Sequence, residues 1–314
     1  MNFARNYTEM HASDRGITQL KVPATDGYPL AVTQFAPQHT DTARGVWVIH
    51  SATGVSQRLY QGFAAWMAER GWWVYTYDYR GVAASGPARI PRPYDDRYFA
   101  WGTLDAEGVT RYVHGAHPGL PLMMLGHSFG GAALGLMASA GLYCRVVTLG
   151  AQTAYYRDWA PAERWGLYWR WHVLQPLVTA VYGYFPGRFS GHQLTDLPAG
   201  VIRGWHRRRL YPRLEDHLRA ENIPFYPQAY SGPLLCLGAV DDPIGTPAAL
   251  ERLHGYFTQA AITIRWLAPA EFGLASIGHF GFFRRDKAAT LWPIVEGNSR
   301  LRGHVIVNPS TGSG

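Results

Sequence analysis

Gly126-His127-Ser128-Phe129-Gly130 sets a serine between two glycines. The apolar run Leu122-Met123-Met124-Leu125 precedes it with the length of a buried strand, and Gly130-Gly131-Ala132-Ala133 opens a helix. Strand, sharp turn and helix is the context that lifts a serine hydroxyl out of a sheet as a nucleophile. The flanking glycines keep Cβ atoms out of a crowded, strained turn. The helix start offers N–H groups and the positive end of its dipole to developing negative charge. The chemistry implied is attack of Ser128 on an acyl carbonyl. The plain alternative is a glycine-rich turn with an incidental serine.

A serine hydroxyl is a weak nucleophile until a base takes its proton. Thirteen histidines are available. Behind such an elbow the partners follow in the order acid, then histidine. His279 and His304 lie late enough in the chain. His279 stands in Gly278-His279-Phe280-Gly281-Phe282-Phe283, a loop after a predicted strand with aromatics to exclude water, and is the expected base. The acid should follow the strand predicted at 234–240. Asp241 and Asp242 are adjacent there, and Asp242-Pro243-Ile244 is preferred because proline fixes φ just after the acid and starts a turn. Its role would be to hold the His279 tautomer and stabilise the imidazolium. The other aspartate would cap the turn or stay solvated.

A tetrahedral oxyanion needs two N–H donors. One is expected from Phe129, directly after the serine. The second should come from His50-Ser51-Ala52-Thr53-Gly54, after the strand at 46–49; Ala52 is the first choice, with Ser51 and Thr53 as alternatives.

The positioning elements follow from periodicity. Residues 17–36 read as a hairpin around Thr25-Asp26-Gly27. Strands are predicted at 46–49, 72–77, 122–125, 145–149, 234–240 and 262–267, and helices at 57–70, 104–117, 129–140, 247–257 and 288–295. This alternation implies an α/β fold: a mostly parallel sheet with helices on both faces. It stops over 153–230, which carries five of the twelve tryptophans, several prolines and no convincing strand. A sheet core at 1–152 and 231–314, interrupted by a helical cap at 153–230, is expected.

The chain has 314 residues, 47% apolar and 16% charged, enough to bury a large core. Its net charge is +7, and the cap holds ten arginines against six acidic residues, including the run Arg207-Arg208-Arg209. A lid over the sheet would place some of its interleaved aromatics above Ser128, favouring a small-molecule acyl substrate with an apolar or aromatic acyl group, carrying in one reading a negative end; the plain alternative is that these aromatics only pack the cap onto the core. A membrane-facing lid is the weaker reading of the same residues. No long basic block supports a nucleic-acid partner. His50 and His127 read as packing residues; no metal spacing and no cofactor loop is present, so neither is expected. Cys144 and Cys236 are expected to be buried thiols. The polar first sixteen residues carry no signal core, no apolar run spans a membrane, and a cytoplasmic protein is the default. The tail after Arg302 reads as frayed.

The elbow, Tyr77-Asp78-Tyr79-Arg80-Gly81 and the His279 loop resemble those of bacterial α/β-hydrolases related to the serine aminopeptidase and monoglyceride lipase group. The pattern is similar to that of a bacterial subgroup of predicted α/β-hydrolases, with Ala52-Thr53-Gly54, Gly183-Tyr184-Phe185-Pro186-Gly187 and Asp241-Asp242-Pro243. The resemblance spans residues 17–296. It implies the α/β-hydrolase fold, a Ser128-Asp242-His279 triad and a helical cap between the sixth and seventh strands, and it implies no particular substrate. Arg80 reads as an ion-pair partner rather than a catalyst. Together these readings point to a serine hydrolase acting on a carboxylic ester, thioester or amide through an acyl-enzyme. An acyltransferase with the same triad and a non-catalytic binding protein are the alternatives.

Overall fold

A computed structural model describes residues 16–87, 90–91, 96–190, 194–297 and 306–307. His304, the rest of the tail and residues 1–15 lie outside them. In chain order the strands are β1 (Ile17–Pro23), β2 (Pro29–Phe35), β3 (Val46–His50), β4 (Trp73–Tyr77), β5 (Leu122–His127), β6 (Arg145–Leu149), β7 (Tyr184–Phe185), β8 (Leu197–Pro198), β9 (Pro233–Ala239), β10 (Ala261–Leu267) and β11 (Ile306–Val307). Nine of them form one sheet in the order β1-β2-β4-β3-β5-β6-β9-β10-β11. The six from β4 to β10 are parallel, while β2 and β11 join antiparallel at the flanks.

Every residue of β3 and β5 is buried, as strands covered on both faces must be. The covering helices are α1 (Gln61–Ala68), α2 (Glu107–Ala116), α3 (Phe129–Ala132), α8 (Pro247–His254), α9 (Ala288–Leu291) and α10 (Pro293–Glu296). Between β6 and β9 lie α4 (Arg164–Trp169), α5 (Gln175–Tyr182), α6 (Ala199–Arg207) and α7 (Leu214–Ala220). On α1, Phe63, Ala64, Met67 and Ala68 are buried, at the spacing of one helix face. Phe63 packs edge-on against Trp292, ring centroids 5.5 Å apart, which ties α1 to the C-terminal helices.

Several local expectations fail for physical reasons. The helix expected over 129–140 is one α-turn followed by a tighter turn, Ala133–Leu136, and Met137 is extended. Three glycines in that stretch weaken the helix, and Gly135 lies against the Phe225 ring, which a Cβ would meet at 2.5 Å. The strand-free reading of 153–230 misses β7 and β8, a two-residue antiparallel pair. Cys236 is buried but Cys144 is exposed, because it sits just outside β6 rather than in it. Among the described residues no helix is long and apolar enough to cross a membrane. Ligands of such parallel sheets collect beyond the carboxyl ends of the strands, where β3, β5, β6 and β9 converge.

Candidate active site

Ser128 occupies the turn between β5 and α3 with φ +53° and ψ −117°, a conformation that costs a non-glycine residue about 1–3 kcal/mol. The turn is held by Ser128 N–H donating to the Leu149 carbonyl at 2.9 Å and Gly131 N–H to the Ser128 carbonyl at 3.0 Å. The two glycines of the motif are required by space. A Cβ on Gly126 would lie 2.6 Å from Gly131 Cα, and one on Gly130 would overlap the His50 carbonyl. Ser128 is 3% exposed, and its Oγ accepts from Gln152 Nε2 at 3.4 Å. Phe129 opens α3, so its N–H has no partner within the helix.

The loop after β9 supplies the acid and the segment after β10 the histidine. His279 Nδ1 lies 2.6 Å from Asp242 Oδ2, and both side chains are almost fully buried. The other Asp242 oxygen accepts from Ile244 N–H at 2.8 Å and Gly245 N–H at 2.9 Å. Burial pushes this carboxyl up. The His279 charge and hydrogen bond, with the two N–H donors, outweigh it and hold the group below its ordinary value. Gly150, at the end of β6, makes room for the pair: its Cβ would lie 2.9 Å from Asp242 Oδ2 and 3.2 Å from His279 Nδ1. Asp241 points elsewhere. Its two oxygens accept from Ile277 N–H at 2.8 Å and Gly278 N–H at 2.9 Å, clamping the loop that carries His279. Of the adjacent acids, then, Asp242 faces the histidine and Asp241 fixes its backbone.

Ala52 departs from expectation. Its N–H donates to Tyr60 Oη at 2.9 Å, so it is committed to a buried phenol rather than open toward Ser128. Tyr60 Oη in turn lies 2.9 Å from His127 Nδ1, and His127 Nε2 lies 2.8 Å from the His279 carbonyl. A carbonyl only accepts, so His127 carries its proton on Nε2. Nδ1 then accepts from the Tyr60 hydroxyl, whose oxygen accepts from Ala52. Burial pushes His127 down to about 3 and keeps it neutral. One directed chain therefore runs from the loop after β3, through the residue preceding α1 and the last residue of β5, to the loop of His279. Tyr60 and Gln152 were missed in the sequence. Tyr60 hides among the aromatics around a helix start, and nothing local marks Gln152.

His50 is a packing residue, held between Tyr77 Oη at 2.6 Å and Tyr143 Oη at 2.9 Å. Arg80 is an ion-pair partner: it binds Asp105 Oδ1 at 2.7 Å and both oxygens of Asp26 at 2.8 Å, tying the β1–β2 turn to the segment leading into α2.

The serine aminopeptidase S33 family model matches residues 41–178. No curated protein matches the sequence. Among solved structures, a soluble variant of monoglyceride lipase from Saccharomyces cerevisiae, in complex with a substrate analogue, aligns with a TM-score of 0.62 at 16% identity, covering 92% of this chain and 96% of that one. An esterase from Exiguobacterium antarcticum aligns at 0.55 and 16% identity, covering 89% and 99%. A thermostable carboxyl esterase from Bacillus coagulans, in complex with glycerol, aligns at 0.54 and 14%, covering 81% and 91%.

Proposed function

We propose that this chain, which has the α/β-hydrolase fold and is similar to the serine aminopeptidase and monoglyceride lipase-like α/β-hydrolases, is a serine hydrolase cleaving carboxylic esters through Ser128, His279 and Asp242. The observation that carries this is the buried His279–Asp242 pair at 2.6 Å, set around Gly150 beside a serine held at positive φ. Asp242 accepts from Nδ1–H, which leaves Nε2 of His279 as the proton acceptor for the serine. Gln152 donates to Ser128 Oγ, so the hydroxyl proton is free to go to that base. Oγ attacks the ester carbonyl, the oxyanion is met by Phe129 N–H and a donor of the loop 51–53, and the imidazolium returns its proton to the leaving alcohol. Water then repeats the sequence and frees the acyl group. With Ala52 bound to Tyr60, Ser51 or Thr53 takes the second donor position. Residues 153–230 act as a cap over this site and select the acyl group, with residues 1–152 and 231–314 as the core.

Hydrolysis of 4-nitrophenyl butyrate tests the assignment. Ser128→Ala is expected to lower kcat by more than about 10³-fold. Turnover by that variant at the wild-type rate would remove Ser128 from the mechanism.

A further inference from the structure

The run Arg207-Arg208-Arg209 is not three equivalent surface charges. Arg207 pairs with Glu221 at 3.0 Å, and Arg209 Nη1 donates to the His206 carbonyl at 2.7 Å. Arg208 is 1% exposed. Its Nε donates to the Thr153 carbonyl at 2.6 Å and its Nη1 to the Arg213 carbonyl at 3.4 Å, while Nη2 is buried with no partner. Among the described residues no carboxylate lies within ion-pair reach of it. Asp158, whose field reaches it, is held by Arg252 through both oxygens. Burial pushes the guanidinium down to about 10, so it stays charged at neutral pH. An ion in that position is costly unless a counter-charge meets it.

Arg208 lines a narrow cleft, partly open to solvent, whose inner space of about 10 Å³ admits a single water-sized group such as one carboxylate oxygen. Thr153 lines it as well, and its Oγ1 is likewise buried without a partner. The remaining walls include Phe129 and Leu136, which are apolar, and Gln152, which touches Ser128 Oγ. Two orphaned polar groups therefore share one cavity with the neighbours of the nucleophile. A guanidinium edge beside a hydroxyl matches a carboxylate in charge and geometry.

We propose that Arg208 and Thr153 form a carboxylate subsite, and that the preferred substrates are hemiesters of short dicarboxylic acids. This rests on the serine hydrolase reading above and names its substrate class. The carboxylate belongs to the acyl part. The leaving alcohol must escape once the acyl-enzyme forms, whereas a group held by Arg208 and Thr153 remains with the part that stays on Ser128. The acyl chain runs along Phe129 and Leu136.

The test compares mono-4-nitrophenyl glutarate with 4-nitrophenyl butyrate, which has the same reacting ester and no carboxylate. Wild-type protein is expected to favour the hemiester at least tenfold in kcat/KM, and Arg208→Met to reduce that ratio at least tenfold. Equal or reversed preference in the wild type, or an unchanged ratio in the variant, overturns the subsite. If Arg208→Met does not fold, Thr153→Val with the same ester pair and calorimetric titration of the wild type with glutarate decide instead. A ratio lowered about threefold and saturable binding support the subsite; an unchanged ratio or no binding overturns it. Fluorophosphonate labelling separates the two claims. Labelling of Ser128 without hemiester preference sinks the subsite alone, and no labelling of Ser128 sinks the hydrolase reading, with glutarate titration still deciding the subsite.

Discussion

The region around Ser128 and the segment that follows β6 treat buried polar atoms in opposite ways. Around the elbow a connected set of such atoms has directed partners: Ala52 to Tyr60 to His127 to the His279 carbonyl, Asp242 with three donors, Asp241 with two. Among the described residues, eleven of the thirteen buried side-chain polar atoms without a protein partner lie between Thr153 and His217. They include the indole N–H groups of Trp159, Trp171 and Trp205 and both ring nitrogens of His172. A reacting centre gains from dipoles fixed in advance. A region that selects substrates must leave donors and acceptors to be met by what it binds. On the proposed function, the contrast would divide labour, with chemistry in the closed network and discrimination in the open one.

The largest effect that could break this division concerns the two adjacent acids. Asp242→Asn is expected to lower kcat by about 10⁴-fold, as loss of the tautomer-holding carboxylate does in comparable triads. Asp241→Asn keeps one acceptor for the loop N–H groups and should lose about tenfold at most. Steady-state ester hydrolysis by both variants checks this, and the opposite ranking would exchange their roles.

Acid stability comes next in size. Burial pushes His50 and His127 down to about 3, against about 6.5 in the unfolded chain. Between those values the unfolded state binds more protons, so stability falls as pH falls below about 6.5. The two together are expected to remove roughly 4 kcal/mol between pH 7 and pH 5, and His172, His217 and His254, also pushed down by burial, add to the same loss. Urea unfolding at the two pH values measures it, and a flat profile would mean that neither imidazole is held neutral.

A pair of smaller substitutions sharpens the comparison. Tyr60→Phe strands Ala52 N–H and His127 Nδ1, and should cost about 1–3 kcal/mol in urea unfolding. Thr179→Val removes a hydroxyl that has no partner, keeps the shape, and should change stability by less than about 0.5 kcal/mol or raise it. Equal costs at the two positions would erase the distinction between the regions.

What the sequence made legible follows the same line. The elbow was readable because its requirements are local: a strand, two glycines and a helix start within about a dozen residues. The order of acid and histidine was readable from their place after later strands. The choice between Asp241 and Asp242 leaned on Pro243, yet what separates their tasks is the loop at Ile277 and Gly278, far along the chain. The Ala52 N–H is taken by a tyrosine on the segment opening α1, a contact no spacing announces. The helix after Ser128 was read too long because the ring that bounds Gly135 comes from Phe225. In Arg207-Arg208-Arg209 composition shows three like charges, and only the fold buries the middle one.

The central claim is that Ser128 is the activated nucleophile of this closed network. Treating the protein with a fluorophosphonate and mapping the modified peptide by mass tests it most directly. A single adduct on Ser128 is predicted, formed rapidly by the wild type, far more slowly by Asp242→Asn, and not at all by Ser128→Ala. An adduct on another residue, or one that persists in Ser128→Ala, would contradict the account.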